Sequence, residues 1–320
     1  MASSGSIFVL GSFVGACSVK VDRFPLPGES LRAESFTLEA GGKGFNLAVG
    51  ARRLGAEIDG LLAVGEDLFA TLAEAALARA DLPQDMLTRL GGESGAGVGF
   101  IDGAGENCLA VYPGANSRLS AREVTAAGER LARARLVLAQ FEIGDEPIAA
   151  AFPMAREAGA ITILNPSPYR PIASGVLRQT DILVVNQVEA ASLCMEMGLG
   201  DAGLSVRWPT LGDRLFEQGL KALVVTLGAA GAAAWTREGA SLRQLAFKAP
   251  AVDTMGAGDA FTAGLAASLH EGLDLAQALR RGAACGAMAA ARLGVLDALP
   301  GREALLAFLD AAGQAGGNGG

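Results

Sequence analysis

The sequence predicts an α/β fold in which a central, mostly parallel β-sheet is flanked by helices. Two observations predict this class. Short runs rich in Val, Ile and Leu alternate with amphipathic helical patterns along most of the 320 residues. The apolar runs are continuous rather than alternating, which is typical of strands that are buried on both faces.

The individual elements follow from hydrophobic periodicity. The predicted buried strands are Ile7–Leu10, Leu61–Val64, Leu136–Gln140, Ile161–Leu164, Ile182–Val185 and Leu223–Thr226. Helical patterns cover Phe45–Leu54, Leu68–Ala80, Ala121–Ala134, Pro147–Ala158, Gln187–Met197 and Ala260–His270. From Ala311 onward only small or polar residues follow, so we expect a flexible tail there.

Two segments depart from this alternation and predict a second, smaller sheet. Ser12–Glu39 contains two prolines and then an extended polar–apolar alternation, and Gly97–Tyr112 predicts a hairpin with its turn at Gly103–Gly105. Such a sheet must bury one face, so we expect it to cover a cleft or to meet a copy of itself. The expected division is a core of residues 1–11, 40–95 and 117–310, a β-sheet lid of residues 12–39 and 96–116, and a tail of residues 311–320.

Composition excludes several classes of protein. The net charge of −8 and the lack of any Lys/Arg block argue against nucleic-acid binding. The uncharged stretch Ala222–Thr236 is interrupted by Gly228 and Gly231, and it is shorter than the roughly 20 residues that a spanning helix needs. No signal peptide is visible, and the four cysteines are too far apart to suggest a zinc site. We therefore expect a cytoplasmic metabolic protein that binds neither membrane nor nucleic acid and holds no metal through Cys or His.

The segment Asp253-Thr-Met-Gly-Ala-Gly-Asp259 is the most informative motif. Gly256, Ala257 and Gly258 have little side-chain bulk, and a helical pattern follows, so their backbone N–H groups can face an anion at a helix N-terminus. A carboxylate at Asp259 would lie beside that anion and could accept a hydroxyl proton during phosphoryl transfer. The alternative is an acidic residue that only stabilises a first helical turn.

The second motif is Gly41-Gly-Lys-Gly-Phe-Asn46, which opens the helical pattern Phe45–Leu54. Its glycines let the backbone approach a ligand closely, and Lys43 and Asn46 add a cation and an amide. The alternative is a glycine-rich turn with an exposed lysine. The spacing is not that of a P-loop, and Gly11–Gly15 lacks the dinucleotide-binding pattern.

Together, these two motifs in an alternating α/β chain resemble the ribokinase family of pfkB-type carbohydrate kinases, and most closely the ribokinase pattern within it. Intermediate landmarks fall in the same order, namely Gly114–Asn116, Gln140–Glu142, Asn165–Pro168, Asn186–Glu189 and Thr226–Gly228. The resemblance spans Ile7 to about Leu309. It implies a three-layer fold with a lid, ATP and Mg²⁺ as cofactors, and a homodimer formed through the lid.

The resemblance also implies roles for the matching residues. It makes Asp259 the catalytic base that activates a primary hydroxyl of a small sugar. The remaining roles are an anion hole at Gly256, Ala257 and Gly258, sugar contacts at Gly42, Lys43, Asn46 and Glu142, magnesium and phosphate placement at Asn186 and Glu189, and the nucleotide side of the cleft at Thr226 and Gly228. Without the resemblance, Asn186 would be interpreted as a helix cap and Glu142 as a loop carboxylate.

Two departures from the family pattern bear on specificity. Ribokinases carry an Asn and an Asp that bind sugar hydroxyls where this chain has Val14 and Ala16, so ribose is not the expected substrate. A serine of the family's monovalent-cation site is replaced by Ala298, although Asp253 is present, which leaves activation by K⁺ open. The alternatives are a nucleoside kinase of the same fold and a degenerate kinase fold that acts as a ligand sensor.

Overall fold

A computed structural model describes residues 5–104, 106–200 and 208–317 of the chain. Its strands in chain order are β1 Ile7–Ser12, β2 Val14–Lys20, β3 Ser35–Gly41, β4 Ile58–Val64, β5 Leu87–Arg89, β6 Gly95–Ile101, β7 Asn107–Tyr112, β8 Leu136–Gln140, β9 Ile161–Asn165, β10 Ile182–Asn186, β11 Ala222–Thr226, β12 Ala232–Thr236 and β13 Ser241–Gln244. Its helices are α1 Lys43–Arg53, α2 Leu68–Arg79, α3 Ala121–Ala126, α4 Gly128–Leu131, α5 Asp145–Glu157, α6 Ser174–Arg178, α7 Gln187–Glu196, α8 Trp208–Glu217, α9 Ala257–His270, α10 Leu275–Ala290 and α11 Arg302–Gly317.

The larger sheet has the strand order β13-β12-β11-β10-β9-β8-β1-β4-β5. The strands from β11 to β5 pair in parallel, whereas β12 and β13 add an antiparallel edge. Alternate side chains of β1 enter two separate cores. Ile7 and Val9 pack with α1, α2, α9 and α10, and Phe8 and Leu10 pack with the helices on the other face. This arrangement confirms the predicted parallel sheet between two layers of helices.

The smaller sheet has the order β3-β2-β6-β7, and its two predicted segments supply all four strands. Strand β2 pairs antiparallel with β3 and parallel with β6. The junction to the core is fixed by the buried Asn116, whose Oδ1 accepts from the Phe13 N–H at 3.1 Å and whose Nδ2 donates to the Phe13 carbonyl at 2.8 Å. These two bonds hold the chain where it leaves β1 and enters β2.

Several details differ from the sequence-based expectations. The predicted helix Ala121–Ala134 is split into α3 and α4. The uncharged stretch 222–236 is a hairpin of β11 and β12, which turns at Gly228–Ala230. Helix α11 continues to Gly317, well into the segment expected to be a tail, because its alanines favour a helix. Residues 318–320 and Gly105 of the predicted hairpin turn lie outside the described residues. Within the described ranges, no helix combines the length and the hydropathy needed to cross a bilayer.

Candidate active site

Polar residues gather along one edge of the larger sheet. Ser12, Gln140, Asn165, Asn186 and Thr226 are the last residues of β1, β8, β9, β10 and β11. These strands are parallel, so their carboxyl ends lie at the same edge, where ligands bind in open α/β sheets. The fold therefore places two residues predicted for the nucleotide side, Asn186 and Thr226, on the same edge as Ser12 and Gln140.

Asp259 lies in the first turn of α9 and is buried, with 5% of its surface exposed. Its carboxylate accepts a hydrogen bond from Asn46 Nδ2 at 2.9 Å and lies 3.4 Å from Lys43 Nζ. Both partners come from α1, and Gly50 permits the close approach of α1 to α9, since a methyl group there would lie 2.8 Å from the Cβ of Ala263. Helix packing thus brings together two motifs that are far apart in the sequence.

The Lys43 ammonium contacts Asp259 and also feels the charge of two other carboxylates. Burial alone would lower the pKa of Lys43, but the negative charges of Asp259, Glu142 and Glu189 outweigh that effect and raise the pKa above its ordinary value of 10.5. Lys43 therefore remains a cation at the pH of the cell. The site keeps an excess of negative charge around one fixed positive charge.

Glu142 anchors the junction between β1 and α1. Its Oε2 accepts from Ser12 Oγ at 2.6 Å and from the Lys43 backbone N–H at 2.8 Å. Ser12 Oγ also accepts from Gln140 Nε2 at 2.9 Å. The approach of the two segments requires glycine, because a methyl group on Gly44 would lie 2.3 Å from the Ser12 backbone nitrogen.

Arg170 supports the segment that carries Glu142. Its guanidinium donates to the carbonyl of Phe141 at 2.6 Å and to the carbonyl of Ile143 at 2.8 Å, and it pairs with Asp145 at 2.6 Å. It also stacks on the Phe141 ring, with 3.9 Å from Cζ to the ring centroid. Arg170 thus holds both residues that flank Glu142.

Sequence reasoning did not identify Ser12, Gln140 or Arg170 as site residues. Ser12 lies within the Gly-Ser pattern after the first strand, and Gln140 ends a predicted strand, so both carried a weak signal. Arg170 carried none, because its role depends on a loop that folds back from β9 onto the end of β8.

The N-terminus of α9 has the geometry of an anion site. Gly256 caps the helix with φ of 73°, a left-handed conformation that favours glycine. A methyl group on Gly258 would meet no atom within 4 Å, so this residue faces open space. Among the described residues, no acceptor is bonded to the amides of Gly256 and Gly258, whereas the Ala257 N–H donates to the Thr254 carbonyl at 3.3 Å.

The predicted nucleotide side contains a capping box. Asn186 Oδ1 accepts from the Glu189 N–H at 2.9 Å, and Glu189 Oε2 accepts from the Asn186 N–H at 2.8 Å, so the pair begins α7. Glu189 is buried beside the site, whereas Asn186 is exposed. At the end of β11, Thr226 Oγ1 donates to the Val185 carbonyl at 3.5 Å, and Gly228 faces open space.

The predicted cation-site residues lie near the C-terminal end of α10. Asp253 Oδ1 accepts from the Met255 N–H at 2.9 Å, and Asp253 Oδ2 accepts from the Gly294 N–H at 3.2 Å. Ala298 is fully buried. Both carboxylate oxygens of Asp253 therefore already accept hydrogen bonds from backbone N–H groups.

Comparisons with known proteins agree with the geometry. The protein-family model described as "pfkB family carbohydrate kinase" matches residues 4–302 of this chain. A ribokinase of Haemophilus influenzae is 30% identical over 307 residues, which cover 95% of this chain and 98% of the relative. A deoxyribokinase of Salmonella typhi is 28% identical over 306 residues, covering 95% and 98% of the two chains. A structure of Arabidopsis thaliana ribokinase complexed with ribose and ATP is 27% identical, covers 96% of this chain and 99% of its own, and superposes with a TM-score of 0.87.

Proposed function

Because the chain belongs to the pfkB family of carbohydrate kinases, whose relatives include ATP-dependent sugar kinases, we propose that it phosphorylates a primary hydroxyl of a small sugar and that Asp259 is the general base. The observation that carries this proposal is the contact of Asp259 with Lys43 and Asn46, beside the open amides of α9. A carboxylate that is buried, oriented by two donors and adjacent to an anion site has the surroundings that a general base in phosphoryl transfer needs.

The proposed reaction uses these groups as follows. Asp259 accepts the proton of the sugar hydroxyl, the hydroxyl oxygen bonds to the γ-phosphorus of ATP, and ADP leaves. Asn46 donates to one oxygen of the Asp259 carboxylate and Lys43 donates to the other, so the two side chains hold the carboxylate in place. The amides of Gly256 and Gly258 and the α9 dipole stabilise the charge on the transferred group, as fixed donors do in other phosphoryl-transfer sites.

Asn186 and Glu189 would hold magnesium on the nucleotide side. Their side chains offer the amide and carboxylate oxygens that Mg²⁺ prefers, often through water, and Glu189 is buried close enough to act on the charge of Lys43. Magnesium, when bound, would neutralise phosphate charge and orient the phosphates. Loss of activity in excess EDTA and its return on addition of Mg²⁺ would support this assignment, whereas full activity in EDTA would contradict it.

We propose further that ribose is a poor substrate. Val14 and Ala16 have no side-chain donor or acceptor, so ribose hydroxyls at that end would be desolvated and unpaired, at about 1–3 kcal/mol each. Two such losses correspond to roughly 30- to 10⁴-fold lower kcat/KM. The similarity to a deoxyribokinase fits a substrate with fewer hydroxyls at this position.

One panel assay tests the proposed function. ATP consumption is measured with D-ribose, 2-deoxy-D-ribose, other pentoses, hexoses and nucleosides. We expect turnover of at least one sugar, with a higher kcat/KM for 2-deoxy-D-ribose than for ribose. Preference for a nucleoside would favour the nucleoside-kinase alternative, ligand binding without turnover would favour the sensor, and ribose as the best substrate would overturn the argument from Val14 and Ala16.

We also propose a cytoplasmic homodimer formed through the smaller sheet. One face of this sheet exposes Phe36, Leu38, Val98 and Tyr112, which form an apolar surface that a second copy would cover. Light scattering of the purified protein at micromolar concentration should give the mass of a dimer, and Leu38→Glu should shift it toward the monomer. A monomer mass for the unchanged protein would reject the dimer but not the lid.

A further inference from the structure

The register of the smaller sheet shows which side chains share its two faces. Val14 pairs with Gly41 and Ala16 pairs with Glu39 across β2 and β3. Directly paired residues of antiparallel strands point to the same face. A methyl group on Gly41 would lie 3.9 Å from the Cβ of Ala16, which agrees with this assignment. Val14, Ala16 and Glu39 therefore share one face.

The orientation of that face follows from its surroundings. Gly15 points to the opposite face, where a methyl group would lie 2.6 Å from the Phe69 ring of α2, so the end of that face nearest the core packs on α2, while its outer part carries the exposed Phe36 and Leu38. Beyond Gly41, β3 leads through Gly42 to Lys43, whose N–H donates to Glu142. The face of Val14, Ala16 and Glu39 is thus turned away from α2, and β3 connects it directly to the sugar side of the site.

Glu39 has no partner among the described residues, and its side chain is exposed. Two other acids of the lid form ion pairs: Glu29 with Arg23 at 2.5 Å and Glu34 with Lys20 at 3.1 Å. The Cα atoms of paired residues in an antiparallel sheet are about 4.5–5.5 Å apart. The Glu39 side chain therefore extends from the strand next to Ala16. A carboxylate is therefore available next to the position from which one is missing.

We propose that Glu39 determines substrate specificity by accepting a hydrogen bond from a substrate hydroxyl on the β3 side of the lid. It would replace, from the neighbouring strand, the carboxylate that the ribokinase pattern has at Ala16. At Val14, Ala16 and Gly97, the ends of β2 and β6 nearest the site offer no polar side chain, and Ser18 lies farther along the same face. The inference rests on the proposed function and refines its substrate: a sugar with a hydroxylated edge toward β3 and a deoxygenated or alkylated edge toward β2.

The test removes the carboxylate and then relocates it. The variants are Glu39→Ala, the pair Ala16→Asp with Glu39→Ala, and the control Glu106→Gln, which removes an exposed carboxylate at the far end of the lid hairpin. KM and kcat are measured with Mg-ATP and each sugar of the panel. We expect Glu39→Ala to raise KM for the best sugar about 5- to 150-fold, with a much smaller change in kcat. Glu106→Gln should match the unchanged protein, and the relocated carboxylate should shift preference toward ribose.

The outcomes separate this inference from the function on which it rests. If the unchanged protein turns over a sugar and Glu39→Ala has the same KM and sugar preference, the role of Glu39 is overturned and the kinase function stands. If the unchanged protein uses ATP with no sugar of the panel, the proposed function fails and the inference fails with it. Thermal unfolding of each variant serves as the folding control, because loss of an exposed, unpaired side chain should leave Tm unchanged.

Discussion

Strands β8 and β3 both lead to the proposed sugar-binding residues, but their surroundings are opposite. Every residue of β8 is buried, whereas β3 is exposed along Ser35–Glu39 and only partly buried at its end. Residues at the end of β8, and the segment after it, are held by Ser12, Arg170 and the neighbouring strands. Glu39 on β3 is held only by backbone pairing.

This difference explains where the chain keeps the family pattern and where it departs from it. A change among Glu142, Lys43, Asn46 and Asp259 would disturb several bonds in a packed region at once. A change on the exposed lid face removes one side chain and leaves the fold intact. The proposed catalytic groups therefore lie in the packed region, and we expect changes on the lid to alter the preference for the sugar.

The largest expected effect is at the packed end. Asp259→Asn keeps the size of the side chain but removes its ability to accept a proton, so kcat should fall by roughly 10²–10⁴-fold. Asp274→Asn is the matched control, because Asp274 caps α10 and asparagine caps a helix equally well. Steady-state kinetics on the best sugar decide the matter, and near-normal kcat for Asp259→Asn would exclude Asp259 as the base.

A smaller effect is expected from restoring a polar group on the lid. Ala16→Asp returns a carboxylate to the position that it has in the ribokinase pattern, so kcat/KM for D-ribose should rise by about 5- to 150-fold. Ser18→Asp, on the same face of β2 but farther from the site, is the control. An equal gain from both substitutions would indicate a general charge effect instead of a specific contact.

Arg170 tests the packed region indirectly, because it contacts none of the residues that we propose to bind substrate. Arg170→Lys keeps the charge but cannot bridge the carbonyls on both sides of Glu142, so KM for the sugar should rise roughly tenfold while kcat changes less. Arg122→Lys, at an exposed position of α3, should have no effect. An unchanged KM for Arg170→Lys would mean that packing alone holds the Glu142 segment.

No effect is expected from exchanging monovalent cations. Asp253 already accepts two backbone hydrogen bonds, and Ala298 lacks the hydroxyl found in the family's cation site. We therefore expect equal rates in K⁺ and Na⁺ at matched ionic strength. Marked activation by K⁺ would show that the loop binds a cation without that hydroxyl.

Much of the packed region could be predicted from the sequence because its signals are local. Continuous apolar runs identified the central strands, and the glycine-rich motifs identified Lys43, Asn46 and Asp259 before their contacts were known. Element boundaries were less exact, since α9 begins at Ala257 and α11 extends to Gly317. Both helices extend into small residues, where periodicity gives little information.

The class of fold, the two motifs and the departure from the family at Val14 and Ala16 could all be predicted from the amino-acid sequence. The contacts of Glu142 with Ser12 and the Lys43 backbone, and the pairing of Glu39 with Ala16, became known only from the folded chain. The two groups of features differ in the range of the interactions that specify them. Strand propensity and helix periodicity depend on neighbours along the chain, whereas strand register and side-chain contacts between distant segments depend on how the whole chain packs.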